Sequence, residues 1–216
     1  MKKLKGIREQ GKSGITGKDM VLYLLSFFIF GVLSGVAAKY SDTIPTNENF
    51  GIFFDFISNL TTRLGIWVFM ATLFAAWSNS PLAAAIKVFA FFAGMLSAYY
   101  IYSQVLFGFF PTYYFLRWGG ISLASPFAAY MVWFGRGKGW AAAFIAGLPI
   151  GLLLEQGYPF FYLFSAVPGF NAAAAVMLLI LLPAEKDQYV KVAAMGVLTS
   201  FILRQTDLLS YLIGGL

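Results

Sequence analysis

Long apolar segments alternate with short polar ones along almost the whole chain. A helix of roughly 20 mainly apolar residues crosses a membrane, and the first such segment runs from about Met20 to Ala38. Further apolar segments cover residues 62–77, 81–103, a stretch that ends at 134, and then 140–156, 172–183 and 190–213. This pattern predicts an all-α transmembrane bundle of about seven spans, or about six if Ala172–Leu182 is re-entrant.

Polar, glycine and proline residues mark the turns between these segments. Pro81 fits the first turn of a new helix, and 135–139 is a tight basic turn. The segment Phe50–Leu60 alternates aromatic and polar residues around Asp55. We expect it to be a short helix at the membrane interface or at the mouth of a pocket.

Basic residues predict the orientation. Residues 1–19 form a basic tail, and residues 20–216 are expected to be a single transmembrane helical domain. Arg136, Lys138, Lys186 and Lys191 fall in or beside alternate loops. Because loops on the cytoplasmic side carry excess Lys and Arg, we expect the N-terminus inside and a multi-pass protein of the cell membrane.

Composition supports a lipid environment. Hydrophobic residues make up 60% of the 216 residues and charged residues 11%, whereas soluble domains have about 45–50% and about 25%. The net charge of +6 is concentrated before the first span, where it favours contact with anionic lipid over nucleic acid.

Several chemistries are excluded by the residue types. The chain has no Cys and no His, which removes disulfides, thiol nucleophiles and histidine ligands for metals. No glycine-rich phosphate loop occurs, so the chain does not itself hydrolyse nucleotide. We predict no cofactor and no metal.

The charges within the spans define the candidate site. With about 1.5 Å of rise per residue, Glu155, Arg204 and Asp207 project to the outer half of the bundle. Charges at membrane depth normally pair or line a wet cavity. The candidate ligand-binding residues of an outward-facing pocket are Glu155, Arg204, Arg117 and Asp207, with Trp118 and Tyr99 as apolar walls.

A structural interpretation competes with this pocket. Arg204 and Asp207 lie on one face of a helix and satisfy each other in that interpretation. For Lys39, Asp42 and Arg63, which lie at span ends, pairing and placement at the interface are favoured.

Small residues and prolines predict how the helices pack. Gly31 and Gly35 form one small-residue stripe, and a second stripe comprises Ala90, Gly94 and Ala98. Such stripes let helices approach closely, and packing inside the bundle is favoured over a partner surface. Pro126 and Pro149 lie within spans, where a simple kink is favoured over a broken helix that binds a ligand.

Four short motifs resemble a family of bacterial integral-membrane proteins of unknown function. They are Gly31-x-x-x-Gly35, Tyr99-Tyr100, Trp118 through Pro126-Phe127, and Glu155-Gln156-Gly157-Tyr158. The resemblance covers nearly the whole chain after the tail. It implies a bacterial cytoplasmic membrane, transfers no mechanism, and strengthens Glu155 and Trp118 as candidates.

The chain is also loosely similar to the substrate-capturing membrane subunits of vitamin transporters. Those subunits are small and helical and open outward, and they depend on partner subunits that hydrolyse ATP. The chain departs from their six-span arrangement with both termini inside.

Three functions follow as hypotheses. The first is a small-molecule binding or transport subunit, with the lipid bilayer, a small molecule and an ATPase, a permease or a second copy as partners. The second is a membrane scaffold or accessory subunit that docks other helices. The third is an intramembrane enzyme with Glu155 or Asp207 as acid or base. It is the least favoured of the three, because the chain has neither Cys nor His as a catalytic residue.

Overall fold

The computed structural model describes residues 7–9, 16–47 and 50–206, and this part of the chain contains helices and no β-strand. The helices are α1 (Gly17–Ser41), α2 (Gly51–Thr61), α3 (Leu64–Ala76), α4 (Pro81–Phe107), α5 (Thr112–Val132), a 3-10 turn (Trp133–Arg136), α6 (Gly139–Gly157), α7 (Phe160–Leu163), α8 (Ala166–Leu181) and α9 (Gln188–Gln205). The predicted all-α architecture is confirmed. Each segment predicted to span the membrane contains a helix, and the end of the last predicted span lies outside the described residues.

Local capping chemistry sets where the long helices begin. The Thr16 hydroxyl accepts a hydrogen bond from the Asp19 N–H (3.3 Å), and the Asp19 carboxylate accepts one from the Thr16 N–H (2.9 Å). This reciprocal capping box starts α1 at Gly17, before the predicted Met20. At α4 the Ser80 hydroxyl accepts from the Ala83 N–H (3.0 Å), and Pro81 occupies the first turn as predicted.

Three helical segments are long and apolar enough to cross a membrane, namely Gly17–Ser41, Pro81–Phe107 and Gly139–Leu163. The last of these combines α6 and α7. A fourth crossing results if α2 and α3, which meet at an angle of 70°, count as one broken span. The structure therefore has the features of an integral membrane protein.

The two small-residue stripes pack against each other between α1 and α4. A Cβ atom added to Gly31 would collide with the carbonyl oxygen of Phe91, and one added to Gly94 with that of Phe28. Such backbone-to-backbone approach requires glycine. The predicted packing inside the bundle is confirmed. Because Gly35 lies against Met95, further along both helices, α1 and α4 run parallel.

Helices α6 and α9 form a second parallel pair. A Cβ atom on Gly147 would overlap with Met195, and one on Gly151 with Thr199. Helix α6 continues unbroken through Pro149. The glycines beside this proline therefore serve close packing against α9, a role that the sequence pattern alone does not indicate.

Shorter helices return the chain between the members of each pair. Trp67, near the start of α3, lines the same cavity as Leu96 in the second half of α4. Phe74, near the end of α3, packs against Phe27 in the first half of α1, with ring centroids 5.0 Å apart. Helix α8 likewise begins beside the end of α6, where a Cβ on Gly157 would meet Ala172.

The same helix order therefore occurs twice. A long helix, a shorter helix, a return helix and a second long helix follow one another over residues 17–107 and again over 139–205, with α5 as the link. Comparison of the residues reveals no internal repeat, because the two halves share helix direction and glycine packing but few side chains.

Part of the basic tail docks at the end of the bundle where α3 finishes. The Arg8 guanidinium donates to the carbonyl oxygens of Ala76 (3.0 Å) and Trp133 (2.6 Å) and stacks 4.1 Å from the Trp133 ring centroid. Helix C-terminal carbonyls lack partners within the helix and favour cations. Burial and the neighbouring Arg136 lower the pKa of Arg8 to about 10, so it stays charged at neutral pH.

Candidate functional site

A buried polar network closes the end of α1. The Asp42 carboxylate accepts hydrogen bonds from the Tyr99 hydroxyl (2.7 Å), the Lys39 ammonium (3.3 Å) and the Ser58 hydroxyl. Lys39 is only 8% exposed, and its Nζ lies 5.0 Å from the ring centroid of Tyr99 and 4.8 Å from that of Phe107. The pairing favoured for Lys39 and Asp42 is present, with Lys39 buried and Asp42 partly buried.

A cavity of about 310 Å³ lies beside this network and is called the outer cavity below. Its lining comes from the end of α1, the junction of α2 and α3, the second half of α4, the following loop and the start of α5: Lys39, Thr61, Thr62, Trp67, Met95, Leu96, Tyr99, Tyr100, Ser103, Phe107, Phe109, Pro111, Tyr114 and Trp118. The volume is at the lower end of the range for small-molecule sites, roughly 300–1,000 Å³. Aromatic walls with a few polar groups are typical of such sites.

Ring packing and one buried hydrogen bond fix the walls of the outer cavity. Tyr100 is 3% exposed and makes an edge-on contact with Phe115 of α5, with ring centroids 5.3 Å apart. The Trp67 indole N–H donates to the Thr61 carbonyl oxygen (2.7 Å). This bond holds the sharp junction between α2 and α3 and satisfies the polar edge of a buried indole.

Two of the predicted site residues line the outer cavity. They are Tyr99 from α4 and Trp118 from α5. Arg117 precedes Trp118 but does not line the cavity, and its guanidinium stacks on Tyr113, 4.4 Å from the ring centroid.

The other predicted residues lie elsewhere. Arg204 of α9 stacks on Tyr158 at the end of α6, 3.7 Å from the ring centroid. Glu155 is half-buried on α6 and makes no ion pair within the described part of the chain. Neither residue lines the outer cavity, and Asp207 lies outside the described residues. A ligand-binding role for Glu155 and Arg204 stays a prediction.

A buried amide lies between the two return helices. Asn171 of α8 is 2% exposed, and its Nδ2 donates to Gln156 Oε1 over 3.5 Å. Its Oδ1 has no hydrogen-bond partner among the residues described, and a Cβ on Gly65 of α3 would collide with it. The sequence signal for this residue is one amide beside the alanine run 172–175.

A second cavity, about 370 Å³ in volume, lies among α3, α4, α5 and α6 and is called the apolar groove. Ser125 and Pro149 are among its lining residues. Pro126 cannot donate to the Ser122 carbonyl oxygen, which instead accepts from the Ser125 hydroxyl (2.7 Å). The Ser122 carbonyl oxygen therefore has its hydrogen-bond partner within the same helix, and α5 runs unbroken through Pro126.

Comparison of the chain with protein-family models, with curated proteins and with solved structures finds no match. The fold and the outer cavity therefore define only a class, namely a protein that is helical over its described residues, with three or four helical segments long and apolar enough to cross a membrane and an aromatic cavity at one end. The resemblance to a bacterial membrane family stays a prediction.

Proposed function

We propose that the protein is a multi-pass membrane protein that binds a small molecule in the outer cavity, as a binding or transport subunit. The observation that carries this proposal is the preformed aromatic box around Tyr99 and Trp118, with the buried Lys39 at its edge. The rings offer apolar faces, and the ammonium offers a charged donor in a poorly solvated place.

The topology we propose has seven crossings, with the N-terminus in the cytoplasm. The alternating directions of α1, α3, α4, α5, α6, α8 and α9 support it. At about 1.5 Å per residue, α5, α8 and α9 measure about 32, 24 and 27 Å, comparable with a hydrocarbon core of about 30 Å. Lys138 and Lys186 then lie inside, in accord with the positive-inside rule, and the cavity faces outward.

The repeated helix order supports a transport role in particular. Many transporters consist of two structural repeats, in some cases related by an axis along the membrane normal. Under the topology proposed above, both halves begin on the same side of the membrane with a parallel helix pair, as repeats of that kind do. Without a nucleotide-binding motif, such a subunit would work by a gradient, by diffusion or with an ATPase partner.

The scaffold hypothesis loses its strongest support. It relied on small-residue stripes as docking faces, and Gly31, Gly35 and Gly94 are covered by packing between α1 and α4.

Thermal unfolding with a panel of small aromatic acids, such as benzoate and indole-3-propionate, tests the proposal on protein in lipid nanodiscs. We expect at least one probe to raise the unfolding temperature, and Trp118→Ala to remove that response. Leu116→Ala is the matched control, because Leu116 belongs to the same helix, is 66% exposed and does not line the cavity. Stabilisation that survives both Trp118→Ala and Lys39→Gln would contradict the outer cavity as the binding site.

A further inference from the structure

A third cavity, of about 350 Å³, lies at the end of the bundle where α3 finishes and is called the Lys87 groove below. Its lining residues are Phe27 of α1, Leu73 and Phe74 of α3, Trp77 directly after α3, Lys87 of α4 and Leu181 at the end of α8. Trp77 is 45% exposed and Leu181 is 38% exposed. The groove is therefore open at the surface of the bundle, between α8 and the helices of the first half.

Lys87 gives this groove a positive charge without an acidic partner. Of the described residues that line the groove, Lys87 alone is charged, and it is partly buried. Its Nζ lies 4.2 Å from the ring centroid of Tyr23 and 5.5 Å from that of Phe27. It makes no hydrogen bond and no ion pair with the described part of the chain. The rings attract the charge without neutralising it, and the three N–H groups of the ammonium are available to an anion.

The position of Lys87 along α4 places it near the boundary between hydrocarbon and headgroups. Helix α4 has 27 residues and measures about 40 Å at 1.5 Å per residue, so it extends about 5 Å beyond each side of a hydrocarbon core of about 30 Å. The Lys87 backbone is about 9 Å from the start of α4, just inside this boundary. A charge at such a depth normally pairs or reaches for the headgroups.

The Lys87 side chain points toward the headgroup level. Gly31 of α1 lies against Phe91 of α4, and because the two helices are parallel, Phe27 is level with Lys87. The Lys87 Nζ is nevertheless closer to Tyr23, one turn nearer the start of α1. The ammonium is thus displaced toward the end of the bundle, as expected for a lysine that extends from an apolar region to the interface.

Apolar side chains line the deeper part of the groove. Leu73 lies one turn before Trp77 on α3 and is therefore further from the end of the bundle where this helix finishes. Phe27 is likewise one turn deeper than Tyr23 on α1. A cation near the interface with apolar side chains beneath it matches a phospholipid, whose phosphate lies above its acyl chains.

We propose that the Lys87 groove binds an anionic phospholipid from the leaflet at this end of the bundle. The phosphate lies at the Lys87 ammonium, and one acyl chain lies against Leu73 and Phe27. Basic pockets between transmembrane helices bind anionic headgroups in this way. A free anion would leave the apolar lining without a partner, and a lipid with a net negative charge is favoured over phosphatidylcholine because the choline cation offsets the phosphate. This site is independent of the outer cavity.

Quenching by brominated lipids tests the site, and the absence of native cysteine allows a label at a single position. A bimane label is attached at Leu181→Cys in the groove lining. The control label is at Ile180→Cys, which is 59% exposed on the same helix and outside the lining. Nanodiscs of one fixed mixture of phosphatidylglycerol and phosphatidylcholine carry bromine on the acyl chains of either lipid. We expect brominated phosphatidylglycerol to quench Leu181→Cys at an about fivefold lower mole fraction than brominated phosphatidylcholine, the contribution of one lysine near an anionic surface. At Ile180→Cys the two lipids should quench equally.

Variants of Lys87 then test the cation itself. In the Leu181→Cys background, Lys87→Gln is expected to remove the preference for phosphatidylglycerol, and Lys87→Arg to keep it. Lys18→Gln is the matched control, because it removes the same charge from an exposed position near the start of α1 that does not line the groove. The preference should survive this change.

Equal quenching by the two lipids at Leu181→Cys would overturn the proposal, and this comparison does not require any Lys87 variant to fold. An equal preference at Leu181→Cys and Ile180→Cys would also overturn it, because the whole end of the bundle would then attract anionic lipid without a site. A preference that survives Lys87→Gln would contradict the assignment of the phosphate to Lys87.

Discussion

Asp42 shows how one residue organises the end of the bundle where α1 finishes. Its carboxylate joins Lys39 on α1, Ser58 on α2 and Tyr99 on α4. These donors come from three helices, so the network ties the short helix α2 to the end of α1 and to α4. A charged group buried in this way is stable only while its partners are present.

Tyr99→Phe removes one donor from Asp42 and leaves the ring in place. We expect it to lower the stability by about 2 kcal/mol, the usual size for a hydrogen bond to a charged group. Thermal unfolding in detergent measures the loss. Tyr102→Phe is the control, since the Tyr102 hydroxyl makes no hydrogen bond to the described part of the chain, and an equal effect of both changes would contradict this account of Asp42.

Glu155→Gln tests the predicted site residue near the end of α6. Glu155 makes no ion pair with the described residues. We therefore expect a normal folded yield and a free energy of unfolding within about 0.5 kcal/mol of wild type. The hypothesis drawn from the sequence predicts that the same change abolishes the response to ligand, whereas binding in the outer cavity, which Glu155 does not line, predicts that the response persists. Loss of fold and response together would instead make Glu155 a structural residue.

At the scale of the elements, glycine determines which helices pair. Gly31 and Gly94 bring the backbones of α1 and α4 into contact, and Gly147 and Gly151 do so for α6 and α9. A small-xxx-small spacing in an apolar segment predicted the first contact. The second contact is not predicted by the sequence, because Pro149 lies between the two glycines, and a proline with neighbouring glycines gives the same signal for bending and for close packing.

Alanine substitutions at two glycines should have opposite effects. Gly31→Ala places a methyl group against the Phe91 backbone and is expected to destabilise by about 1–3 kcal/mol, as overpacking does. Gly120→Ala on α5 meets nothing within 4 Å and is expected to stabilise by about 0.5–1 kcal/mol through helix propensity. Thermal unfolding of both variants gives the sign of each change in stability. If Gly120→Ala destabilised the protein as much as Gly31→Ala, the packing of α1 on α4 would not explain the effect at Gly31.

The docked part of the tail is the other element that sequence reasoning did not resolve. Five lysines and one arginine, Arg8, precede the first span, and the residue type alone does not indicate which carbonyl groups Arg8 meets. Its role follows from two carbonyl groups, those of Ala76 and Trp133, that are distant in sequence and meet only in the folded chain.

Arg8→Gln should destabilise the end of the bundle where α3 finishes. It leaves two carbonyl oxygens without their charged donor and removes the stacking on Trp133, so we expect a loss of about 1–3 kcal/mol. Lys138→Gln is the control, because the ion pair of Lys138 with Glu185 is exposed and exposed pairs contribute little. Hydrogen exchange should show faster opening at residues 133–136 in the Arg8 variant alone, and equal exchange in both would argue against the docking.

At the scale of the whole molecule, the two halves repeat one helix order around α5. Hydrophobic patterning predicted the helices because lipid-facing and core positions are both apolar over each span. The repeat and the outer cavity were not predicted in full. Both depend on which distant segments become neighbours, for example Lys39 with Phe107, and a single sequence gives no direct information on such pairs.

The orientation of the chain in the membrane, the outward opening of the cavity and the proposed function all depend on the number of crossings. Single cysteines in the cysteine-free chain, at Phe109, Tyr162, Asn79 and Lys186, test it with a membrane-impermeant maleimide on intact cells. All four residues are exposed in the structure. Seven crossings with the N-terminus inside predict labelling of Phe109→Cys and Tyr162→Cys in intact cells, and of Asn79→Cys and Lys186→Cys only after permeabilisation. Labelling of Asn79→Cys or Lys186→Cys from outside would contradict the alternating topology and the outward-facing cavity with it.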